Sequence, residues 1–169
     1  MTDTRTDPPT AAGERETLRA FLDYHRQTLA LKCEGLTEER LRLRSTPPSS
    51  MSLLGLVRHM ADVERSWFRR RLAGEDLGSI YYSDDDPDGD FDNVDTASAE
   101  EAFATWRAEI EHARAAEAAC ADLDAMTKTA RQGDHYSLRW IMVHMIEEYA
   151  RHNGHADLMR ERIDGATGE

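Results

Sequence analysis

His144-Met145-Ile146-Glu147-Glu148-Tyr149-Ala150-Arg151-His152-Asn153-Gly154-His155 lies inside a longer segment, Ser137 to Gly165. Across that segment Ile141, Met142, Met145, Tyr149, Ala156, Met159 and Ile163 recur at helical spacing. At about 100° per residue, His144, Glu148, His152 and His155 fall on one longitudinal stripe about 80° wide. Three imidazoles and a carboxylate are poor material for an apolar core. They suit a divalent cation, because neutral imidazole and carboxylate are good donors to zinc, iron, nickel or manganese. His144 and His155 are about 16 Å apart along such a helix. They cannot share one ion, so His144 is expected to pack or to line a pocket. One helix edge rarely supplies a whole ligand set, and His59, inside an earlier apolar segment, is the best source of another ligand.

Three further segments carry the same period. The first runs from about Glu14 to Glu34 with Leu18, Phe21, Leu22, His25 and Leu29 on one face, and Gly35 stops it. Thr37 then suits the N-cap of a short turn, and Pro47-Pro48 breaks the chain. The second segment starts near Ser52, carries Leu53, Leu56, Val57, Met60, Val63, Trp67 and Phe68, and ends at Gly74. The third opens on Ser98-Ala99-Glu100-Glu101, a capping-box pattern, and is expected to reach about Leu123. No stretch alternates as a strand would, and the Ile80-Tyr81-Tyr82 trio has nothing obvious to pair with. Four amphipathic helices with connecting loops predict an all-α fold, a four-helix bundle, which commonly seats metals between facing helices. Glu64 falls near the middle of the second apolar face. It is expected to pair with an arginine across the bundle, or else to hydrogen-bond a ligand histidine. His25, His112 and His135 lack partners at ligand spacing and are assigned surface or loop roles.

At 169 residues the chain is long enough for one domain with a real core. Residues 1–13 read as a disordered polar lead without the apolar region of a signal peptide, and 14–169 as the single bundle domain. A net charge of −12 with no offsetting basic stripe argues against a nucleic-acid partner. No apolar run approaches the roughly 20 residues needed to span a bilayer. Cys33 and Cys120 are far apart in sequence and form no Cys-x-x-Cys pattern, so no disulfide is indicated and a cytoplasmic location is expected. The expected partners are a small-molecule substrate and a second copy of the chain in a homodimer, with no membrane.

Between the second and third helices lies Asp84-Asp85-Asp86-Pro87-Asp88-Gly89-Asp90-Phe91-Asp92-Asn93-Val94-Asp95. Acids at positions one, three, five, seven, nine and twelve with glycine at six match a calcium-binding EF-hand loop. Against that, Asp95 is shorter than the usual glutamate, Pro87 is awkward, and no helix leads into the loop. A solvated acidic loop near the pocket mouth is the favoured reading.

Leu53-Leu54-Gly55-Leu56-Val57-Arg58-His59-Met60-Ala61-Asp62-Val63-Glu64-Arg65-Ser66-Trp67-Phe68 resembles the second helix of the DinB-like superfamily, which includes thiol transferases that use mycothiol or bacillithiol. Arg151 to Glu161, closing on Ile163 to Gly168, is similar to a largely actinobacterial branch of it. The resemblance covers nearly the whole chain after residue 14. It implies a bundle with a divalent metal held by one histidine of the second helix and two residues of the fourth. Carried onto this sequence, the first ligand is His59. Family members space the other two at i and i+4, whereas this chain offers both Glu148 with His152 and His152 with His155. The expected set is His59, His152 and His155, favoured because it is all imidazole, with Glu148 as replacement ligand or general base. Zinc is expected first, with nickel, iron or manganese as alternatives, and mycothiol as co-substrate. The implied activity is metal-dependent S-transfer to a small electrophile. A metal-dependent hydrolase or isomerase, and a bundle that binds metal or ligand without catalysis, remain open beside it.

Overall fold

The computed structural model describes residues 5–168 of the chain. Its helices are α1 (Glu14–Cys33), α2 (Glu38–Arg42), α3 (Leu53–Glu64), α4 (Gly89–Asp92), α5 (Ala99–Ala118) and α6 (Leu138–Asp164). A π-helical segment, Arg65–Leu72, continues α3 without a break. No strand occurs among the described residues, and the four long helices form the all-α bundle of DinB-like type. Of the expected N-terminal lead, residues 1–4 lie outside the described residues. Residues 5–13 form no helix, and Arg5 Nη1 donates to Thr28 Oγ1 of α1.

The helix starts follow their caps. Thr37, Ser52, Ser98 and Ser137 each accept a hydrogen bond from the amide three residues on. Ser52 Oγ is buried and receives the Gly55 amide at 3.1 Å. Ser52→Ala is therefore expected to cost about 1 kcal/mol, read as a fall in melting temperature of about 2–4 °C; an unchanged melting temperature would show that this cap is idle. The end of α5 departs from expectation: the helix stops at Ala118 rather than near Leu123. Beyond it the Leu123 and Ala125 carbonyls accept from the Arg139 and Leu138 amides, both at 2.8 Å. Capping α6 in this way needs extended chain where helical periodicity alone would have continued.

α1 packs mainly on α6 and α3 mainly on α5, while contact between α3 and α6 joins the two pairs. α3 is apolar nearly all round, with Leu53, Leu54, Leu56, Val57, Met60 and Ala61 fully buried. Its outer side is covered by the loop that carries α4. A Cβ on Gly55 would come within 2.8 Å of Phe91 Cδ1, so only glycine lets that loop lie this close.

The buried Glu64 takes the arginine partner expected for it. Arg26 of α1 donates to both carboxylate oxygens, Nε to Oε1 and Nη2 to Oε2, each at 2.8 Å. Tyr149 Oη donates to Glu64 Oε1 at 2.7 Å and accepts from Trp106 Nε1 at 2.9 Å, tying all four long helices together. Burial alone would push the Arg26 guanidinium down, but the attraction of Glu64 outweighs it and holds the group up.

Candidate metal centre

One face of α3 carries Gly55, Arg58, His59 and Asp62, at the i, i+3, i+4 and i+7 positions of a helix. Each of them fixes part of the loop between residues 75 and 95. Gly55 admits Phe91. Arg58 donates to the Gly89 and Asp90 carbonyls at 2.9 and 3.0 Å and stacks on the Tyr81 ring. Asp62 accepts from the Ile80 and Tyr81 amides at 2.7 and 2.9 Å, which is why the Ile80-Tyr81-Tyr82 trio forms an anchored bend rather than a strand. The docked loop turns Asp90, 4% exposed, onto His59, with Oδ2 at 2.7 Å from Nδ1. Phe91 stacks on the same imidazole with ring centroids 5.2 Å apart.

With Nδ1 engaged by a carboxylate, His59 has Nε2 left for a cation. This is the orienting arrangement common at metal-ligating histidines. Opposite it, α6 brings Glu148 and His152, and the ligand atoms of His59, Glu148 and His152 all lie within 4.8 Å of one another. The His59 and His152 rings meet edge-on at 4.8 Å. Burial, then the neighbouring His59 and His155, push the His152 pKa down to about 4. At neutral pH it therefore presents a lone pair. Two imidazoles and one carboxylate form a donor set that divalent transition ions accept, zinc among them.

His155 is not in this gathered set. Its Nδ1 lies 3.4 Å from His152 Nδ1, on the side of that ring away from Glu148, whose Oε2 is 3.6 Å from Nε2. His144 lines the adjoining pocket, with Nε2 at 3.3 Å from Glu148 Oε1. His25 packs on Asn153, which donates to its carbonyl, and His135 is held by Thr127. The pocket has a volume of about 310 Å³, and its walls include Val63, Trp67, Phe91 and Glu148 beside His59.

The acidic loop does reach the pocket, through Pro87 and Asp88 as well as Asp90. Its carboxylates do not converge as an EF-hand requires. Asp86 accepts from Asn93 at 2.6 Å, Asp95 pairs with Arg44 at 2.7 Å, and Asp90 turns inward to His59. The sequence reading missed Asp90 as an individual, since nothing in a run of acids marks the one that faces a histidine 31 positions earlier. Asp90→Asn is expected to weaken zinc binding by about 10–100-fold, measured by competition with a chelating dye. Affinity equal to that of the unaltered protein would remove Asp90 from the site.

Two comparisons bear on this geometry. The family model described as Mycothiol-S-transferase matches residues 17–165. Among curated proteins no relative matches the chain.

Proposed function

The chain belongs to the mycothiol-S-transferase family of DinB-like bundles, and on that premise we propose that it is a metal-dependent enzyme joining the sulfur of mycothiol to a small electrophile. The observation that carries this reading is the convergence of His59, Glu148 and His152 ligand atoms beside a pocket of about 310 Å³. In this reading those three residues hold one divalent cation, zinc in first place. His155 supports the His152 ring instead of ligating. When bound, the cation would act as a Lewis acid that lowers the pKa of an incoming thiol and supplies thiolate at neutral pH.

The chain's own residues do the rest. Asp90 fixes the His59 tautomer by accepting from Nδ1–H. Trp67 and Phe91 give the pocket apolar walls that hold water away from the electrophile. With Glu148 committed as a ligand, proton acceptance falls to His144, whose Nε2 already faces that carboxylate. The chain's two cysteines make poor nucleophiles: burial pushes Cys33 up to about 12, and Cys120 is raised by burial as well. The reacting sulfur therefore arrives with the substrate.

The test is to incubate purified protein with mycothiol and 1-chloro-2,4-dinitrobenzene and follow the S-conjugate by mass spectrometry. Conjugate formed above the uncatalysed rate is expected. No conjugate at any loading with zinc, nickel, iron or manganese would overturn the reading.

A further inference from the structure

The segment between α5 and α6 folds back as an irregular hairpin whose tip is Gln132-Gly133. Arg131 and Asp134 exchange both backbone hydrogen bonds across the tip, at 2.9 and 3.1 Å, and the two central residues have φ of +54° and +92°. This is the primed turn that favours glycine at its second position. The hairpin is pinned to the end of the π-helical segment: the Lys128 and Thr129 amides donate to the Arg71 carbonyl, and Thr129 Oγ1 donates to that of Arg70. Arg131 is thereby set at the wall of the metal-site pocket, with its Cζ over the Trp67 ring at 5.2 Å from the centroid.

Many of the chain's arginines are neutralised by carboxylates. Arg26, Arg65, Arg69 and Arg139 all sit on carboxylates. Among the described residues, neither Arg131 nor Arg71 forms an ion pair, and Arg71 Nε is buried with no hydrogen-bond partner. Arg71 also feels the like charges of Arg70 and Arg131. The Trp67 face orders the Arg131 guanidinium without neutralising it, so its N–H fork stays available. The pocket's carboxylates do not fill that role. Asp62 is taken by the Ile80 and Tyr81 amides and Asp90 by His59, while the exposed Asp88 is not within ion-pair distance. A chain of net charge −12 that keeps the Arg131 guanidinium unpaired at the wall of this pocket, within the electrostatic reach of Arg71, has a place for an anion. Beside that place, Trp67, Tyr136, Trp140 and His144 form one aromatic cluster, with centroids between 4.5 and 5.3 Å apart. Flat faces of this kind suit a planar body.

We propose that Arg131, backed by Arg71, receives the carboxylate of a planar electrophile, so that the pocket selects unsaturated or aromatic carboxylates over neutral analogues. This rests on the pocket being the S-transfer site. With an aryl chloride as electrophile, the thiol sulfur forms the C–S bond as the C–Cl bond breaks. Chloride leaves with the bonding pair, the thiol proton passes to His144 and from there to solvent, and nothing is oxidised or reduced.

Two measurements on the zinc-loaded full chain test the proposal. The first is binding of 3,5-dinitrobenzoate and neutral 1,3-dinitrobenzene, neither with a leaving group, followed by tryptophan fluorescence. The benzoate is expected to bind about tenfold tighter, as one charge-assisted fork allows. Arg131→Gln should abolish that preference, while Arg70→Gln, which removes the same charge outside the pocket, should retain it. Equal binding of the two compounds, or a preference that survives Arg131→Gln, overturns the proposal. The second measurement compares mycothiol conjugation of 4-chloro-3,5-dinitrobenzoate and 1-chloro-2,4-dinitrobenzene, each relative to its uncatalysed rate. Benzoate binding that depends on Arg131 but gives no turnover supports the anion site and counts against S-transfer. Turnover without any carboxylate preference does the reverse.

Discussion

Glu148→Gln is expected to strip zinc from the purified chain, whereas His155→Ala leaves most of it bound. The carboxamide oxygen is neutral and a far weaker donor than the carboxylate, so the substitution removes one of the three ligand atoms that converge within 4.8 Å. The loss in affinity should exceed the roughly 10–100-fold typical of a residue that only orients a ligand. His155 is of that orienting kind in this account, since its imidazole reaches His152 Nδ1 and not the gathered atoms. Zinc counted per chain after dialysis against a competing chelator separates the two variants. Metal retained by Glu148→Gln and lost by His155→Ala would favour the all-imidazole set His59, His152 and His155.

The largest stability effect belongs to Arg26→Ala. It leaves the Glu64 carboxylate, fully buried on α3, facing a void where two guanidinium N–H groups stood. Uncompensated burial of one charge costs about 3–5 kcal/mol, and the remaining donor, Tyr149 Oη, can neutralise none of it. The double change Arg26→Met with Glu64→Leu removes both charges and should recover most of the loss, because a buried pair and an apolar pair of similar volume are often close in stability. Urea unfolding followed by circular dichroism checks both. A cost under about 1 kcal/mol for the single change would mean that water reaches Glu64. Since Glu64 lies five residues beyond His59, about 140° round the helix, the metal affinity of folded Arg26→Ala protein should stay unchanged.

The long helices and the Thr37 and Ser98 caps could be read directly from period and composition, because apolar spacing and cap chemistry are local properties. The α6 side of the gathered set was only partly legible. Glu148 and His155 both lie within about 60° of His152 around the helix axis, so the stripe contains them equally. What separates them is position along the axis. The pocket extends from His59 toward His144, which is the N-terminal side of His152, and helical side chains lean that way. Glu148 is carried into the pocket, while His155 stays one turn behind. The preference for an all-imidazole set rested on charge, and the gathered atoms of His59, Glu148 and His152 add reach along the axis as a second consideration. The π-helical continuation of α3 had no signal at all, since Arg65–Leu72 keeps helical spacing and the wider turn is visible only in bonds such as Ala73 N to Phe68 O. Asp90 and Arg58 were illegible for a related reason. Their roles depend on a loop laid against Gly55, and long-range docking of that kind leaves no periodic trace.

The central claim is that S-transfer by this chain depends on a cation held between α3 and α6. It is tested most directly by stripping the protein of metal and titrating zinc back while recording the initial rate of mycothiol conjugation to 1-chloro-2,4-dinitrobenzene. The account predicts a rate near the uncatalysed value in the stripped protein that rises with zinc and levels off at about one equivalent per chain. A rate that is already full in the stripped protein and indifferent to added zinc would contradict it.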